Sequence, residues 1–297
     1  MKKVLITGAN SYIGMSFEKW MTEVHPKEFK IDTVDMKCEK WKEKDFSEYD
    51  VVFHVAGIAH ADVGHVTEER KNYYHEVNCN LSLETAKTAK EAGIKQFIFM
   101  SSMIVYGDSA PLGKKKVIHK ETQPSPSNFY GDSKWQADRK IRQLENDDFH
   151  VAVLRPPMIY GKGSKGNYPV LAQMAKRLPV FPKVENEKSV LHVDNLSEFV
   201  YLLISSGEGG IFFPQNAEYV KTYEMVKEIA RCAGHQIWIT ELLNPLVWIA
   251  EKIPGKVSGK IHKAFGSLVY EKNMSNCFKG RYQVRKLNES ISLTEKK

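Results

Sequence analysis

The sequence predicts an α/β fold, a doubly wound parallel sheet followed by a smaller C-terminal lobe, and three observations carry that prediction. Short continuous apolar runs recur at Val4 to Ile6, Phe97 to Met100 and Val151 to Leu154, as in parallel strands covered on both faces, and Ile31 to Val34 and Val51 to Val55 read as further strands. Helix-period segments alternate with them. The first run passes directly into a glycine-bearing turn, Thr7-Gly8-Ala9-Asn10-Ser11-Tyr12-Ile13-Gly14, and then into the helix face Met15, Phe17, Trp20 and Met21.

In chain order, the strand Val51 to Val55 precedes a helix from about Tyr73 to Ala92 that stops at Gly93. Ser-Pro-Ser-Asn at 125–128 starts the helix that continues through Ala137, Ile141 and Leu144. Arg155-Pro156-Pro157 then leaves the Val151 strand as an extended segment. Beyond it the elements interleave. Val170 to Leu178 reads as helix, Val190 to Val193 as strand, Asp194 as the cap of a helix Leu196 to Ile204, Ile211 to Phe213 as strand and Thr222 to Ala233 as helix. Residues 1–160 therefore form a first domain, to which 189–215 return, and 161–297 form most of a smaller lobe. Leu242 to Ile253 is apolar enough to suggest a membrane-surface helix, but a helix packed on the small lobe is the favoured reading. From about Asn288 the chain reads as a frayed tail.

The 297 residues suffice for one large core plus an appendage. No apolar run approaches the roughly 20 residues that span a bilayer, and the first residues enter a strand at once, so a cytoplasmic protein is expected. Cys38, Cys79, Cys232 and Cys277 are far apart, which indicates reduced thiols in or near the core rather than a zinc site or disulfide framework. The formal charge of +7 favours an anionic, phosphate-bearing substrate, not nucleic acid. The lysines are scattered among acids except at Lys114 to Lys116 and in the C-terminal tail, and both of these clusters read as solvated surface.

The glycine turn is the candidate dinucleotide site. Gly8 allows a tight turn, Gly14 allows close approach of helix and strand, and the helix amino end offers N–H groups to a pyrophosphate. Asp35 ends the next strand, where a carboxylate can bond an adenosine ribose and repel a 2′-phosphate, so NAD is expected; Lys37 and Lys40 follow closely and keep NADP open. Asp45 could reach the adenine, and Ala56-Gly57 would let backbone run alongside the cofactor. A second glycine pattern, Gly161, Gly163 and Gly166, has no acid at the required distance and reads as a flexible loop beside the substrate. No Gly-Lys-Ser/Thr follows either turn, so a P-loop is excluded.

Ser101 and Ser102 end the Phe97 strand, and Tyr130 and Lys134, four apart, share a face of the next helix. A phenol near an ammonium has a stabilised phenolate, which suggests a dehydrogenase-type proton relay. Tyr223/Lys227 and Tyr282/Lys286 repeat the spacing without a strand-end serine; the first reads as helix surface and the second as part of a basic tail. His54, His60 and His65 lack a regular ligand spacing, so no metal is expected.

Taken in order, Thr7-Gly8 to Gly14, Asp35, His54-Val55-Ala56-Gly57, Ser101-Ser102 with Val105-Tyr106-Gly107, Tyr130/Lys134, Arg155-Pro156-Pro157 and His192-Val193-Asp194 resemble the extended short-chain dehydrogenases/reductases of the NAD-dependent epimerase/dehydratase family. The match covers roughly residues 1 to 235. It implies a Rossmann-type domain, a substrate lobe, a nucleotide-sugar substrate and commonly a homodimer. It implies Asn10, Ser11, Tyr12 and Ile13 within the cofactor turn, a supporting role for Asn78, and substrate contacts from Ser102, Asn167, Lys188 and Arg281. Ser11 stands where the family usually has its middle glycine. Met103 and Ile104 replace the Asp-Glu pair of the 4,6-dehydratases, and Met158 stands where epimerases often have Asn. The expected activity is that of a UDP-sugar 4-epimerase working through a transient 4-keto intermediate. A 4-ketoreductase of a nucleotide-linked keto-sugar is the alternative, and retention of Ser102, Tyr130 and Lys134 argues against a non-catalytic dinucleotide sensor.

Overall fold

The computed structural model describes residues 1–59 and 67–296. The chain opens with β1 (Lys2–Thr7), α1 (Tyr12–Val24), β2 (Phe29–Val34) and β3 (Val51–His54). There follow α2 (Glu68–His75), a π-turn over Glu76–Asn80, α3 (Leu81–Glu91), β4 (Gln96–Met100), β5 (Lys115–Ile118), α4 (Phe129–Arg142) and β6 (His150–Leu154). The remainder comprises β7 (Met158–Tyr160), α5 (Asn167–Arg177), β8 (Val180–Pro182), β9 (Val190–His192), α6 (Val193–Ser206), β10 (Gly210–Phe212) and α7 (Thr222–Cys232). Last come β11 (Trp238–Thr240), α8 (Asn244–Glu251), α9 (Lys256–Phe265), β12 (Ser267–Tyr270) and α10 (Leu287–Glu295).

Six strands form one parallel sheet in the order β10-β6-β4-β3-β1-β2. The order reverses between β1 and β3, and such a switch point opens a crevice at the carboxyl ends of the strands. Every residue of β3 and β4 is buried, which is why Val51 to Phe53 and Phe97 to Met100 read as apolar runs. On one face α1 and α6 bury Phe17, Met21, Phe199 and Leu203 against the sheet. On the other, Ala86 and Ala89 of α3 and Ala137 and Ile141 of α4 pack with Trp41 and Phe46. A third cluster, including Tyr160, Phe181, Val226, Ile229 and Phe265, is the core of the smaller lobe. The lobe also carries three parallel strand pairs, β5–β12, β7–β9 and β8–β11.

Several sequence expectations are corrected. His192, not Asp194, caps α6: its Nδ1 accepts from the Asp194 N–H at 3.2 Å, while the Asp194 carboxylate pairs with Arg285 at 3.0 Å. Cys38 is exposed rather than near the core. The C-terminal segment does not fray, because α10 buries Ser290 and Ile291 completely and Ser290 Oγ lies 2.6 Å from the Tyr160 phenol oxygen. Tyr282 belongs to the core instead of a tail, packing edge-on against Phe199 at 4.9 Å. No helix among the described residues is long and apolar enough to cross a membrane.

Candidate active site

Gly8 and Ala9 donate their N–H groups to the Val34 carbonyl at 2.9 and 3.0 Å, which draws the glycine turn against the end of β2 and sets the exposed Asp35 beside it. Gly8 has φ +121°, and a methyl group there would lie 2.8 Å from the Ala56 nitrogen, so both conformation and space require glycine. Asn10 supplies a left-handed residue at φ +61°. Ser11, with φ −73°, caps α1 and accepts from the Gly14 N–H at 3.2 Å. This turn therefore needs no middle glycine. Tyr12 and Ile13 open α1, and the Tyr12 phenol lies against Gly161, so the second glycine pattern packs on the first helix. Asp35 Oδ1 accepts from Lys37 N–H at 3.0 Å. Asp45 accepts from the hydroxyl and N–H of Ser47, which hold its pKa below the ordinary carboxylate value.

On the far side of the crevice, the Asn128 carboxamide caps α4 by accepting from Gly131 N–H at 2.9 Å. Tyr130, Lys134 and Asp138 then follow at one-turn intervals on one helix face. Lys134 is buried, donates to the Met100 carbonyl at 3.0 Å and sits 5.1 Å from the Phe99 ring centroid; burial brings its pKa down to about 8. Burial pushes the Tyr130 phenol up to about 12; the nearby Ser102 hydroxyl works against that shift and neighbouring Tyr74 adds to it. Ser102 also accepts from Ile104 N–H at 3.3 Å, starting the short turn that leaves β4.

The third wall is the segment after β3. A methyl group on Gly57 would meet Lys134 Nζ at 3.0 Å and Asn78 Oδ1 at 3.1 Å, so glycine brings this backbone against the α4 face. Asn78 is buried in the π-turn, a distortion frequent at functional sites. Its Oδ1 accepts from Ile58 N–H at 2.8 Å, and its Nδ2 donates to the Ile58 carbonyl and to Ser133 Oγ, both at 3.1 Å. Asn78 thus ties the loop to α4. His54 has Thr7 Oγ1 at 2.7 Å and Ser82 Oγ at 2.9 Å, and burial lowers its pKa to about 3, so it is a neutral core residue. His60 and His65 lie outside the described residues. Among the described residues, no three His, Cys, Asp or Glu side chains gather as a metal site would require.

Sequence reasoning missed the group beneath this face. Asp138 accepts from Ser101 Oγ at 2.9 Å, Arg155 Nε and Nη2 at 2.8 Å each, and Arg142 Nε at 3.0 Å. Arg155 also donates to the Tyr106 phenol at 2.6 Å, and its carbonyl accepts from the Tyr270 phenol at 2.7 Å. One available signal was position, since Asp138 lies one turn beyond Lys134.

The other anticipated substrate residues lie on later segments of the chain. Lys188 is half-buried and donates to the Lys263 carbonyl at 2.8 Å, with burial lowering its pKa to about 8. Arg281 is exposed and its Nε donates to the Phe278 carbonyl at 3.3 Å. Asn167 is exposed at the start of α5. Of the repeated Tyr-Lys spacings, Tyr223 donates to Glu185 at 3.1 Å on the surface, and Tyr282 is fully buried.

Residues 4–212 match the NAD dependent epimerase/dehydratase family. The chain belongs to that family. The UDP-glucose 4-epimerase of Vibrio cholerae is 28% identical over 279 residues, covering 87% of this chain and 83% of that protein. The N-acetyl-alpha-D-glucosaminyl-diphospho-ditrans,octacis-undecaprenol 4-epimerase of Escherichia coli O157:H7 is 25% identical, covering 86% of this chain and 81% of that one. The fold is shared with dTDP-4-dehydrorhamnose reductase from Bacillus anthracis, solved with NADP, at a TM-score of 0.70 and 19% identity over 99% and 98% of the two chains. The family's dinucleotide fits the residues present, because the Gly8 turn leaves no Cβ between α1 and the segment at Ala56, and Asp35 stands exposed at its edge.

Proposed function

We propose that this family member is a UDP-sugar 4-epimerase acting through a transient 4-keto intermediate. The observation that carries the reading is Tyr130 and Lys134 on one face of α4 at the carboxyl end of β4, with Ser102 near the phenol and Gly57 and Asn78 beside Lys134. In this reading Gly8 to Gly14 receives the pyrophosphate, Asp35 the ribose, Asp45 the adenine edge, and Ala56-Gly57 lies along the cofactor. NAD bound there would supply a reversible hydride acceptor for the sugar carbon.

Tyr130 is the proton carrier for the sugar hydroxyl, and Ser102 donates a hydrogen bond to the same oxygen. The Lys134 ammonium, held on the Met100 carbonyl, lowers the cost of the phenolate. Asn78 shapes the wall through Ile58 and Ser133. Lys188 is the candidate for the sugar diphosphate: an ammonium has three N–H donors, and the Lys263 carbonyl engages one. Asn167 and Arg281 are secondary candidates. Residues 1–160 with 189–215 would act as the cofactor domain and 161–297 chiefly as the substrate lobe, in a cytoplasmic homodimer whose mass sedimentation would check.

Interconversion of UDP-glucose or UDP-N-acetylglucosamine with its 4-epimer, without net change in reduced cofactor, tests the reading. One observation favours a second reading. Met158, half-buried against the lobe core, provides no amide where epimerases often have Asn, which suits an NAD(P)H-dependent 4-ketoreductase. Stoichiometric consumption of reduced cofactor with a 4-keto sugar, and no interconversion of the UDP-sugars, would replace the first reading by the second.

A further inference from the structure

The segment from Leu242 to Phe265 has an inner and an outer face. Inside, Val247 is buried in the lobe core, the Trp248 ring reaches over Gly113, and Glu251 Oε1 accepts from Leu112 N–H and has His262 Nε2 beside it, both at 2.8 Å. Outside, Leu242, Leu246, Ile249, Ile253 and Val257 are 76, 63, 62, 48 and 40% exposed. Leu242, Leu246 and Ile249 follow helical spacing into and along α8, and Ile253 and Val257 carry the exposed apolar surface across the turn at 252–255 to the start of α9. A solvated helix would carry polar residues there, so a stripe of this length calls for a partner.

Charge identifies the chemistry of that partner. Between residues 242 and 265 there are four lysines, Lys252, Lys256, Lys260 and Lys263, and a single acid, Glu251, already engaged on the inner side. Lys252, Lys260 and Lys263 are exposed. Glu241, at the start of the segment, is paired with Lys183 at 2.8 Å. A second copy of this chain docked by a two-fold axis would set the same lysines against one another. An anionic lipid surface instead accepts the apolar stripe between headgroups while its charges meet the lysines.

We propose that α8 and α9 dock this protein peripherally on an anionic phospholipid surface. The docking face lies close to the site, because Ala110 and Leu112, on the loop that leaves Ser102 and Tyr106, are bonded to Ser267 and Glu251 respectively. It is independent of which sugar is turned over.

The test floats the full-length protein with vesicles of phosphatidylglycerol and phosphatidylcholine in equal parts, and with phosphatidylcholine alone. The protein should rise with the mixed vesicles and not with the neutral ones, and salt should weaken binding by screening the lysines. Leu246→Glu and Ile249→Glu should each reduce partitioning by roughly tenfold or more, and Lys260→Ala by roughly fivefold. Val24→Glu, at an exposed apolar position on α1, should leave it unchanged. Circular dichroism and thermal melting establish that each variant is folded. Failure to rise with the anionic vesicles overturns the proposal, as does full binding by folded Ile249→Glu. Conversion of a wild-type dimer to monomer by Ile249→Glu, without vesicle binding by the wild type, would assign the face to a second copy and equally overturn it.

Discussion

Replacing Lys134 by methionine should remove the charge proposed to assist Tyr130 while relieving the folded protein of a buried ammonium. A lysine whose pKa falls from 10.5 to about 8 on folding carries a charge that costs roughly 3 kcal/mol in the folded state. Methionine fills similar volume but leaves the Met100 carbonyl without its 3.0 Å donor, a loss of about 1–3 kcal/mol. At neutral pH the two effects nearly offset, so the pH dependence is the decisive quantity. Below pH 8 the ammonium is charged in both states and the full cost is present. Between pH 8 and 10.5 the folded protein has released the proton while the unfolded chain retains it, so wild-type stability rises with pH, by about 1.4 kcal/mol per unit. Above 10.5 both states are neutral and the cost has gone. Urea unfolding without added cofactor should show wild type gaining about 2 kcal/mol on Lys134→Met between about pH 7 and about pH 9.5. A stability difference independent of pH, or one shifting in favour of Lys134→Met as pH rises, would refute the reasoning.

Tyr130→Phe should lower turnover by about 10²- to 10⁴-fold with cofactor affinity unchanged in calorimetry, because only the proton carrier is removed. Tyr282→Phe should leave turnover unchanged and lower unfolding stability by about 1–3 kcal/mol, since its buried phenol bonds the Gln215 and Ser275 carbonyls at 3.0 Å; a comparable loss of turnover would mean that the wrong tyrosine has been chosen. Asp35→Ala should weaken NAD relative to NADP in calorimetry, and tighter NADP binding by wild type, unaffected by the substitution, would contradict the ribose role. Lys188→Ala should raise KM more than it lowers kcat, with wild-type KM rising as salt increases; a pure kcat effect would remove it from the diphosphate site.

The large sheet was legible because its central strands are covered on both faces and so are written as continuous apolar runs. Of the lobe's paired strands only β9 was legible, from Val190 to Val193; in the other strands three or four residues carry too little periodicity to be told from a loop. Lys115 to Ile118 illustrates this: its lysines read as solvated surface, yet the segment is paired with β12 through all four residues. The tail expectation failed for a related reason. Leu287 to Glu295 looks polar and terminal, but its few apolar and hydroxyl groups meet Tyr160 and the lobe core, a long-range complementarity that no local window contains.

At the site, local spacing revealed Gly8, Gly14, Tyr130 and Lys134, whose geometry is set within one turn or one helix. Asp138 is different, because Ser101 and Arg155 reach it from other segments. A carboxylate with no exposed surface is stable only when its desolvation is matched by charge and hydrogen bonds. Here Arg155 meets it bidentately, with Ser101 and Arg142 completing the set. Those bonds pin α4 to the ends of β4 and β6, the strand ends flanking the face that carries Tyr130 and Lys134. The same Arg155 is held through its carbonyl by Tyr270 of β12, so the seam between the large sheet and the lobe converges on the support of the α4 face. The sequence displayed the groups facing the crevice but left this support hidden, because facing follows from helical period whereas support depends on two further segments arriving at one carboxylate.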